Sequence, residues 1–528
     1  MPLELVDGEE TTKHDKWLMG VLGLLLAVGA FLRLYKLGKD SLWFDEIDAL
    51  MMVALPLRQM FQGLAWHASP PLDYLVLRLI SIFGRDETLV RLPAALFGIM
   101  AIYVLYRAGR QLAGTAVGLG AAAMLTFSMT AIVYAQEARM YSLFLFLTTV
   151  LLWCCGRLIE EPLSWRRWAI TALAALLALY THYYAVLVVA GLGFLWLGLC
   201  FWPRWNRALF VRGFGSFGGV AVLFAPWLPT MLEQSARRGG VLGYALARED
   251  YWRVTRHFVS GGATNRYSWF YLFLFACGLV YCLRRKRLVA GLLCAFVVIP
   301  ALLAYYVPSL SATVTPRNMI FLIPGYLIGI AAGFYALARF VLSIASRQLQ
   351  PPERAPTLHS ITTALTLAGL VVIALGSSMG MLRQYHSNGW WMRDARHDWR
   401  LTSQFLQRTM QPGDLVLVDA VRTRYTLSFY LDPLAIEGTN YYDFTYNPAN
   451  ADTGATRFVP VVTQHTSAPV LEEALAAAKT VWVINPAQID FGSIGVDSTQ
   501  IVPVEVSNIP VARLPGGSSG ENAAAPSE

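Results

Sequence analysis

Long runs of apolar residues with almost no charge constrain this chain more than any other feature of its sequence. They begin near Trp17 and recur as far as residue 382. A bilayer core about 30 Å thick takes roughly 20 apolar residues in a helix. Only 14% of the 528 residues are charged, against roughly 25% in a soluble domain. The sequence therefore predicts a polytopic α-helical membrane protein.

The breaks between these runs divide the chain into spans. The uncharged run from Trp168 to Pro203 is too long for one span, so it is divided at Thr181-His182-Tyr183-Tyr184. The eleven predicted spans are residues 17–36, 88–106, 112–133, 141–156, 167–181, 184–202, 213–232, 267–283, 288–306, 318–338 and 361–382.

The charges between spans predict the orientation, because short basic loops stay in the cytoplasm. Every second loop is rich in arginine, whereas the short loops between them contain only two basic residues, Arg139 and Arg317. This pattern predicts a cytoplasmic N-terminus and an outer C-terminal region in a cytoplasmic (inner) membrane. The flanks of the first span, taken alone, favour the reverse orientation. That span has no cleavage signal after it and is interpreted as an anchor.

Four regions follow from these spans. Residues 1–16 form the cytoplasmic N-terminus and 17–382 the transmembrane domain, whose first outer loop, 37–87, contains a predicted interfacial helix from Leu72 to Phe83. Residues 383–513 switch to the pattern of a soluble domain. An amphipathic stretch over 398–410, the turn 411–414 and strands at 415–418, 459–462 and 481–484 predict a small C-terminal α/β domain outside the membrane. Residues 514–528 are predicted to be a disordered tail.

Polar residues concentrate at the predicted outer ends of the spans, where charge near lipid costs a few kcal/mol and usually serves a function. The basic residues lie in short loops rather than on a soluble basic face, so no nucleic-acid partner is expected. The six cysteines have no metal-ligand spacing. The candidate site residues are Asp45, Glu46, His67, Glu137, Arg139, Tyr141, His182 and Arg317.

Each candidate also has a structural explanation. Asp45 and Glu46 are suited to cap a helix, and Glu137 and Arg139 to pair and close a turn. His182 fits equally a buried interfacial histidine, and Arg317 an anchor whose charged head reaches water.

Several motifs together resemble a known family. The strings SLWFDEIDAL, SPPLDYLVLRLISIFG, QEARMYSLFLFL, THYYA and TPRNMIFLIPG occur in order over residues 17–340. They resemble the bacterial branch of the protein O-mannosyltransferases, which are glycosyltransferases with the GT-C fold. The resemblance implies a polyprenyl-phosphate-linked sugar as donor and transfer to an envelope glycan, lipid or protein at the outer face, with membrane lipid around the chain.

The resemblance also implies roles for the residues. Asp45 is expected to act as the catalytic general base in an inverting displacement. Arg317 and Arg139 are the candidates to hold the departing phosphate. Glu46 and Glu137 are candidates either to bind a divalent cation or to position sugar hydroxyls, and these alternatives stay open. His67, Tyr141 and His182 are further substrate-binding candidates, and no nucleotide cofactor is expected.

Two other classes of function fit the same composition. A transporter or flippase also needs many spans and a polar cavity, but such proteins place polar groups near the midplane and show internal repeats, which this sequence lacks. An anchoring or assembly protein does not require a carboxylate at position 45. The enzyme is the favoured interpretation.

Overall fold

The computed structural model describes most of the chain. Secondary structure and burial are given for the described residues only, which are 8–67, 69–201, 204–237, 250–260, 265–306, 315–349, 361–376, 398–411, 414–418, 421–431, 461–462, 475–476, 478–485, 489, 501–504, 506, 509 and 511–515.

The chain divides into two compact units. Unit 1 consists of Met1–Leu37, Phe61–Gly84 and Leu89–Ser387. Unit 2 consists of Gly38–Met60, Arg85–Thr88 and Asn388–Glu528. Part of the first loop therefore belongs to the same compact unit as the C-terminal α/β domain.

Helices make up nearly all of the described part of unit 1 because a backbone in lipid must form its hydrogen bonds within its own segment. The α-helices of the chain, numbered in order, are α1 (Gly8–Leu34), α2 (Phe44–Ala54), α3 (Leu57–Gly63), α4 (Leu72–Ser81), α5 (Glu87–Ala113), α6 (Thr115–Thr126), α7 (Met129–Ala135), α8 (Tyr141–Glu160), α9 (Trp165–Thr181), α10 (Ala185–Phe201), α11 (Arg207–Phe224), α12 (Leu228–Arg237), α13 (Tyr251–Val259), α14 (Asn265–Arg285), α15 (Arg287–Leu293), α16 (Ile299–Tyr306), α17 (Ile323–Leu349), α18 (Ile361–Gly376), α19 (Trp399–Thr409) and α20 (Val421–Leu431).

The described residues include seven helices long and apolar enough to cross a membrane, or eight if the bent pair α6–α7 counts as one span. Three further predicted spans fall on α9, α10 and α18, which are shorter. Residues 202 and 377–382 of the predicted spans lie outside the described residues. The prediction of a multi-pass membrane protein is confirmed.

The predicted span over 112–133 is not one straight helix. It divides into α6 and α7, which bend by 60° across Phe127 and Ser128. The Ser128 side chain accepts a hydrogen bond from Ala131 N at 3.4 Å and so caps α7.

Helices α14 and α17 pack backbone against backbone. A Cβ atom added at Gly278 would clash with the carbonyl oxygen of Gly329, and one at Gly333 would clash with that of Leu274. Glycine at these positions lets two transmembrane helices approach closely, which favours their association in lipid.

Unit 2 contains a five-stranded sheet. Its strands are β1 (Leu415–Val418), β2 (Val461–Val462), β3 (Thr480–Ile484), β4 (Val502–Val504) and β5 (Val511–Pro515). Their order is β2-β1-β3-β5-β4, in which β1 is parallel to β2 and β3, whereas β5 is antiparallel to β3 and β4.

Alternate residues of the central strands face two apolar cores, as the period of a strand requires. Val416 and Val418 join a core with Leu406 of α19 and Leu427 of α20, and Leu417 joins the core on the other face. The predicted α/β domain is confirmed.

The elements of this domain differ from the prediction in detail. The predicted helix and the strands at 415–418 and 481–484 are present, while Val459 and Pro460 lie outside the described residues. Helix α20 and strands β4 and β5 were not predicted. Strand β5 extends through Pro515, into the predicted tail, of which residues 516–528 lie outside the described residues.

Candidate functional site

A buried turn in unit 1 carries three of the candidate residues. It connects α7 to α8, and the Arg139 backbone N–H donates to the Glu137 carbonyl at 2.8 Å, which tightens the turn. Glu137 is buried, with 1% of its surface exposed, whereas Arg139 is half-buried. Tyr141 begins α8 and is buried against Tyr134 of α7, with ring centroids 4.7 Å apart.

The position of this turn is fixed by the C-terminal end of α1. The buried Arg33 guanidinium donates to the carbonyl oxygens of Leu125 at 2.9 Å and Thr126 at 3.3 Å. These carbonyls lie at the end of α6, and that of Leu125 also accepts a hydrogen bond from the Ser128 backbone N–H at 3.3 Å. Gln136 Nε2 donates back to the carbonyl oxygens of Leu32 and Tyr35, each at 3.2 Å. Helix α1 therefore holds both ends of the bent segment that delivers Glu137 and Arg139.

His182 and Arg317 lie beside this turn. His182 follows the last residue of α9, and its ring stacks on Phe144 of α8 with centroids 4.8 Å apart. Arg317, in the 3₁₀ turn Pro316–Leu322 before α17, lies over the Tyr141 ring at 5.6 Å from the centroid. The structure thus brings together Arg139, Tyr141, His182 and Arg317 from three distant parts of the chain.

The environment of His182 keeps its imidazole neutral. Burial, with the positive charges of Arg317 and Arg139, lowers the pKa of His182 to about 3, although a hydrogen bond with Asn318 acts in the opposite direction. Its Nδ1 accepts a hydrogen bond from the Tyr184 backbone N–H at 3.2 Å. This geometry suits a positioning role and gives the cluster two cationic groups around a neutral ring.

Asp73 is a chemically informative residue that was predicted as part of the interfacial helix and not as a site residue. It lies in the first turn of α4 and lines a cleft together with Arg139. The other lining residues are apolar and come mostly from α4 and α5: Val76, Leu77, Val90, Pro93, Ala94, Phe97, Ala138 and Leu143. Burial raises the pKa of Asp73 to about 6, and the charge of Arg139 opposes this rise. The signal in the sequence was a carboxylate within the apolar stretch LDYLVLRLI.

His67 lies near the start of α4. It is half-buried, and its ring centroid is 6.1 Å from that of the buried Tyr74. Two residues later, the buried Ser69 side chain contacts Met140 Sδ at 3.9 Å, so this segment packs against the turn that carries Arg139. Asn318, beside Arg317, is a second residue that was not predicted as a site residue.

Asp45 and Glu46 lie in unit 2, in the first turn of α2. Glu46 is fully buried, and its Oε2 accepts a hydrogen bond from the Trp43 backbone N–H at 3.3 Å. Helix capping, the structural explanation considered for this pair, therefore applies to Glu46. Asp45 is only partly buried, and a carboxylate in this position is favoured by the positive end of the helix dipole.

The described residues contain no group of three His, Cys, Asp or Glu side chains close enough to hold a metal ion. Glu46 belongs to unit 2 and Glu137 to unit 1.

The chain is similar to known membrane glycosyltransferases in part of its sequence and in its fold. Residues 67–229 match the family model of the dolichyl-phosphate-mannose-protein mannosyltransferases. The matched segment contains His67, Glu137, Arg139 and His182, whereas Asp45 lies outside it. No curated protein matches the sequence significantly.

Two solved structures share the architecture along most of the chain. ArnT from Cupriavidus metallidurans bound to undecaprenyl phosphate is 15% identical, with a TM-score of 0.51 over 94% of this chain and 98% of that one. The oligosaccharyltransferase AglB from Archaeoglobus fulgidus, in complex with an inhibitory peptide and a dolichol-phosphate, is 8% identical, with a TM-score of 0.53 over 89% and 70%. The chain has the GT-C fold.

The GT-C fold and the family match confirm the resemblance predicted from the sequence. The match to ArnT extends over the α/β domain as well as the helices, because it covers 94% of the chain. Of the candidate residues in the matched segment, Arg139, Tyr141 and His182 lie in the cluster that also includes Arg317.

Proposed function

We propose that this protein is an integral membrane glycosyltransferase that moves a monosaccharide from a polyprenyl-phosphate donor to an extracytoplasmic acceptor hydroxyl. The observation that carries the proposal is the convergence of Arg139 and Arg317 on the neutral His182 in a multi-pass helical protein. The family match over residues 67–229 supports it, as do the polyprenyl phosphates bound to ArnT and AglB.

The two arginines are suited to bind the phosphate of the donor. A guanidinium offers a planar set of donors that matches phosphate oxygens and keeps its charge at any physiological pH. A neutral imidazole beside them adds no positive charge but fixes Tyr184 and Asn318 by hydrogen bonds. The site therefore gathers cationic donors where a phosphate would leave.

Asp45 is proposed as the general base. Its carboxylate accepts the proton of the acceptor hydroxyl while that oxygen bonds to the anomeric carbon, and the bond from this carbon to the phosphate oxygen breaks. The leaving polyprenyl phosphate takes the electron pair and remains with Arg139 and Arg317. A single displacement of this kind inverts the anomeric centre, and a positioned base contributes about 10²- to 10⁴-fold.

The remaining candidates are proposed to orient the sugar. Glu137, His67 and Tyr141 have hydrogen-bonding groups near the turn, and Glu137 is also suited to a divalent cation. Glu46 acts on Asp45 by fixing the first turn of α2. The acceptor is an envelope glycan, lipid or protein, and we place the N-terminus in the cytoplasm with the α/β domain outside.

Transfer by purified protein tests the proposal. The protein in detergent is incubated with radiolabelled sugars linked to undecaprenyl phosphate and with envelope acceptors, and labelled product is measured. We expect Asp45→Asn to abolish transfer without changing the thermal unfolding temperature. Asp48→Asn, on the same helix, is the matched control and retains transfer.

The same preparation separates the rival classes. Unchanged transfer by Asp45→Asn would exclude this residue as the base. Movement of the donor lipid across reconstituted vesicles, without any sugar transfer, would instead identify a transporter or flippase.

A further inference from the structure

The segment that carries Asp45 has an unusual set of polar contacts. Residues 38–60 lie in unit 2, and three of them, Lys39, Ser41 and Leu42, form hydrogen bonds with residues more than 300 positions later in the chain. We call residues 38–46 the Asp45 segment. These contacts join the segment to the α/β domain.

Tyr430 of α20 links the segment to a partly buried carboxylate, that of Glu87. Its phenol oxygen accepts a hydrogen bond from the Leu42 backbone N–H at 2.6 Å. The same hydroxyl donates to Glu87 Oε1 at 3.0 Å. One hydroxyl therefore accepts from a backbone N–H three residues before Asp45 and donates to the Glu87 side chain, which is 12% exposed.

Arg400 of α19 makes the second link. Its Nη1 forms an ion pair with Glu87 Oε1 at 3.1 Å, and its Nη2 donates to the Lys39 carbonyl oxygen at 2.8 Å. The two donors of one planar guanidinium thus connect Glu87 to the segment. Glu87 Oε1 accepts from both Tyr430 and Arg400, so these side chains form one network.

Ser41 makes the third link. Its side-chain oxygen accepts a hydrogen bond from the Trp399 backbone N–H at 3.2 Å, and both residues are buried. Trp399 begins α19, and the first N–H groups of a helix lack partners within the helix. A residue of the segment therefore caps a helix of the α/β domain. The ring of Phe44 adds an edge contact with Tyr425, at 5.9 Å between centroids.

These contacts fix the backbone at Lys39, Ser41 and Leu42, and Glu46 fixes the first turn of α2 that follows. Asp45 itself is partly exposed between these anchors. The backbone on both sides of this partly buried residue is therefore restrained.

We infer that the α/β domain is a positioning device for Asp45, in which Tyr430, Arg400 and Glu87 set where the carboxylate lies. That Asp45 is catalytic rests on the proposed function. That the Asp45 segment is restrained rests only on the contacts above. A base displaced by about 1 Å loses roughly 10²-fold in rate. The domain is therefore required for turnover rather than for binding the donor.

Two variants test the inference in the full-length protein. Tyr430→Phe keeps the ring and removes the hydroxyl, and Arg400→Ala removes the second link. Arg408→Ala, an exposed position on the same helix as Arg400, is the matched control. For both test variants we expect kcat to fall at least tenfold, with the KM for the lipid-linked donor within twofold of wild type. Arg400→Lys, which retains one charged donor, should recover part of kcat.

Hydrogen–deuterium exchange provides the readout that does not depend on activity. Faster exchange confined to peptides covering residues 38–50 in Tyr430→Phe and Arg400→Ala, and absent from Arg408→Ala, supports the restraint. Unchanged exchange there, or faster exchange throughout unit 2, would overturn it. If Asp45→Asn is inactive but both test variants keep wild-type kcat, the inference fails and the proposed function stands. If the wild type transfers no sugar, the proposed function fails and exchange alone decides the restraint.

Discussion

The turn that carries Glu137 and Arg139 and the Asp45 segment are held in place by different means. The turn is buried among helices, and Arg33 and Gln136 fix it through backbone carbonyls at the helix ends. The Asp45 segment is held by side chains of the α/β domain, and Asp45 itself, near the end of the segment, stays partly exposed. In the turn, the contacts that shape the site are also core contacts. In the segment, two of them are made by Tyr430 and Arg400, whose side chains are only partly buried.

The largest effect is expected at Arg33. Arg33→Ala removes a fully buried guanidinium and leaves the carbonyls of Leu125 and Thr126 without this donor. We expect a loss of about 4 kcal/mol in the free energy of unfolding, since the substitution removes hydrogen bonds to two buried carbonyls, each worth about 1 kcal/mol, and leaves a cavity in place of a large buried side chain. Thermal unfolding in detergent measures it, with the exposed Arg110→Ala as control. A change below about 1 kcal/mol would contradict the view that core contacts hold the turn in place.

Arg317→Lys tests whether the cluster beside the turn binds the phosphate of the donor. Lysine keeps the charge but loses the planar pair of donors, so we expect kcat/KM for the donor to fall about 30-fold, or about 2 kcal/mol. The measurement is sugar transfer at varied donor concentration. Arg339→Lys, exposed on α17, is the control. Equal activity of the two variants would remove Arg317 from the phosphate site.

Asp73 predicts a dependence of stability on pH. Because burial raises its pKa to about 6, above an unfolded value of about 4, the folded state binds more protons between these values. Stability should therefore fall as pH rises from about 4 to about 6, by at most about 2 kcal/mol. Asp73→Asn should abolish this dependence and be the more stable protein at pH 7. Unfolding temperatures from pH 4 to 7.5 test this, with the exposed Glu160→Gln as control. A wild-type stability that rises over this interval would contradict the pKa.

The smallest effect is expected at Glu46. Glu46→Ala removes the carboxylate that accepts from the Trp43 N–H, and loss of such a cap costs about 1 kcal/mol. Chemical denaturation with a probe in unit 2 measures the change, and Asp45→Ala serves as the neighbouring comparison. A loss as large as that of Arg33→Ala would show that the segment is as dependent on core contacts as the turn.

The sequence predicted most of the helices but not the bend between α6 and α7. The run from 112 to 133 has no charge, and the carbonyls beside the break are bonded by Arg33, which lies 92 residues before Leu125. Likewise, Asp73 was predicted only as part of an interfacial helix. Its relation to Arg139 depends on how α4, α5 and the turn pack, which no local pattern records.

The candidate residues were found from their types and their places near span ends. Arg139, Tyr141, His182 and Arg317 do come together, and the resemblance to GT-C enzymes was confirmed. The sequence left open whether Glu46 caps a helix, because that depends on one hydrogen bond. The roles of Asp45, Glu137 and His67 stay predictions.

The sequence by itself determined that this chain forms apolar helices followed by a small α/β domain. A backbone in lipid must form its hydrogen bonds locally, which favours helices in apolar runs. Successive residues of a strand face opposite sides of the sheet, so strands with apolar residues on both sides indicate a sheet packed on both faces. Only the tertiary structure decided which polar groups meet. Tyr430 and Leu42 are 388 residues apart, and Arg33 meets the end of α6 across 92 residues. Contacts at such separations depend on packing in three dimensions, which the order of residues does not display.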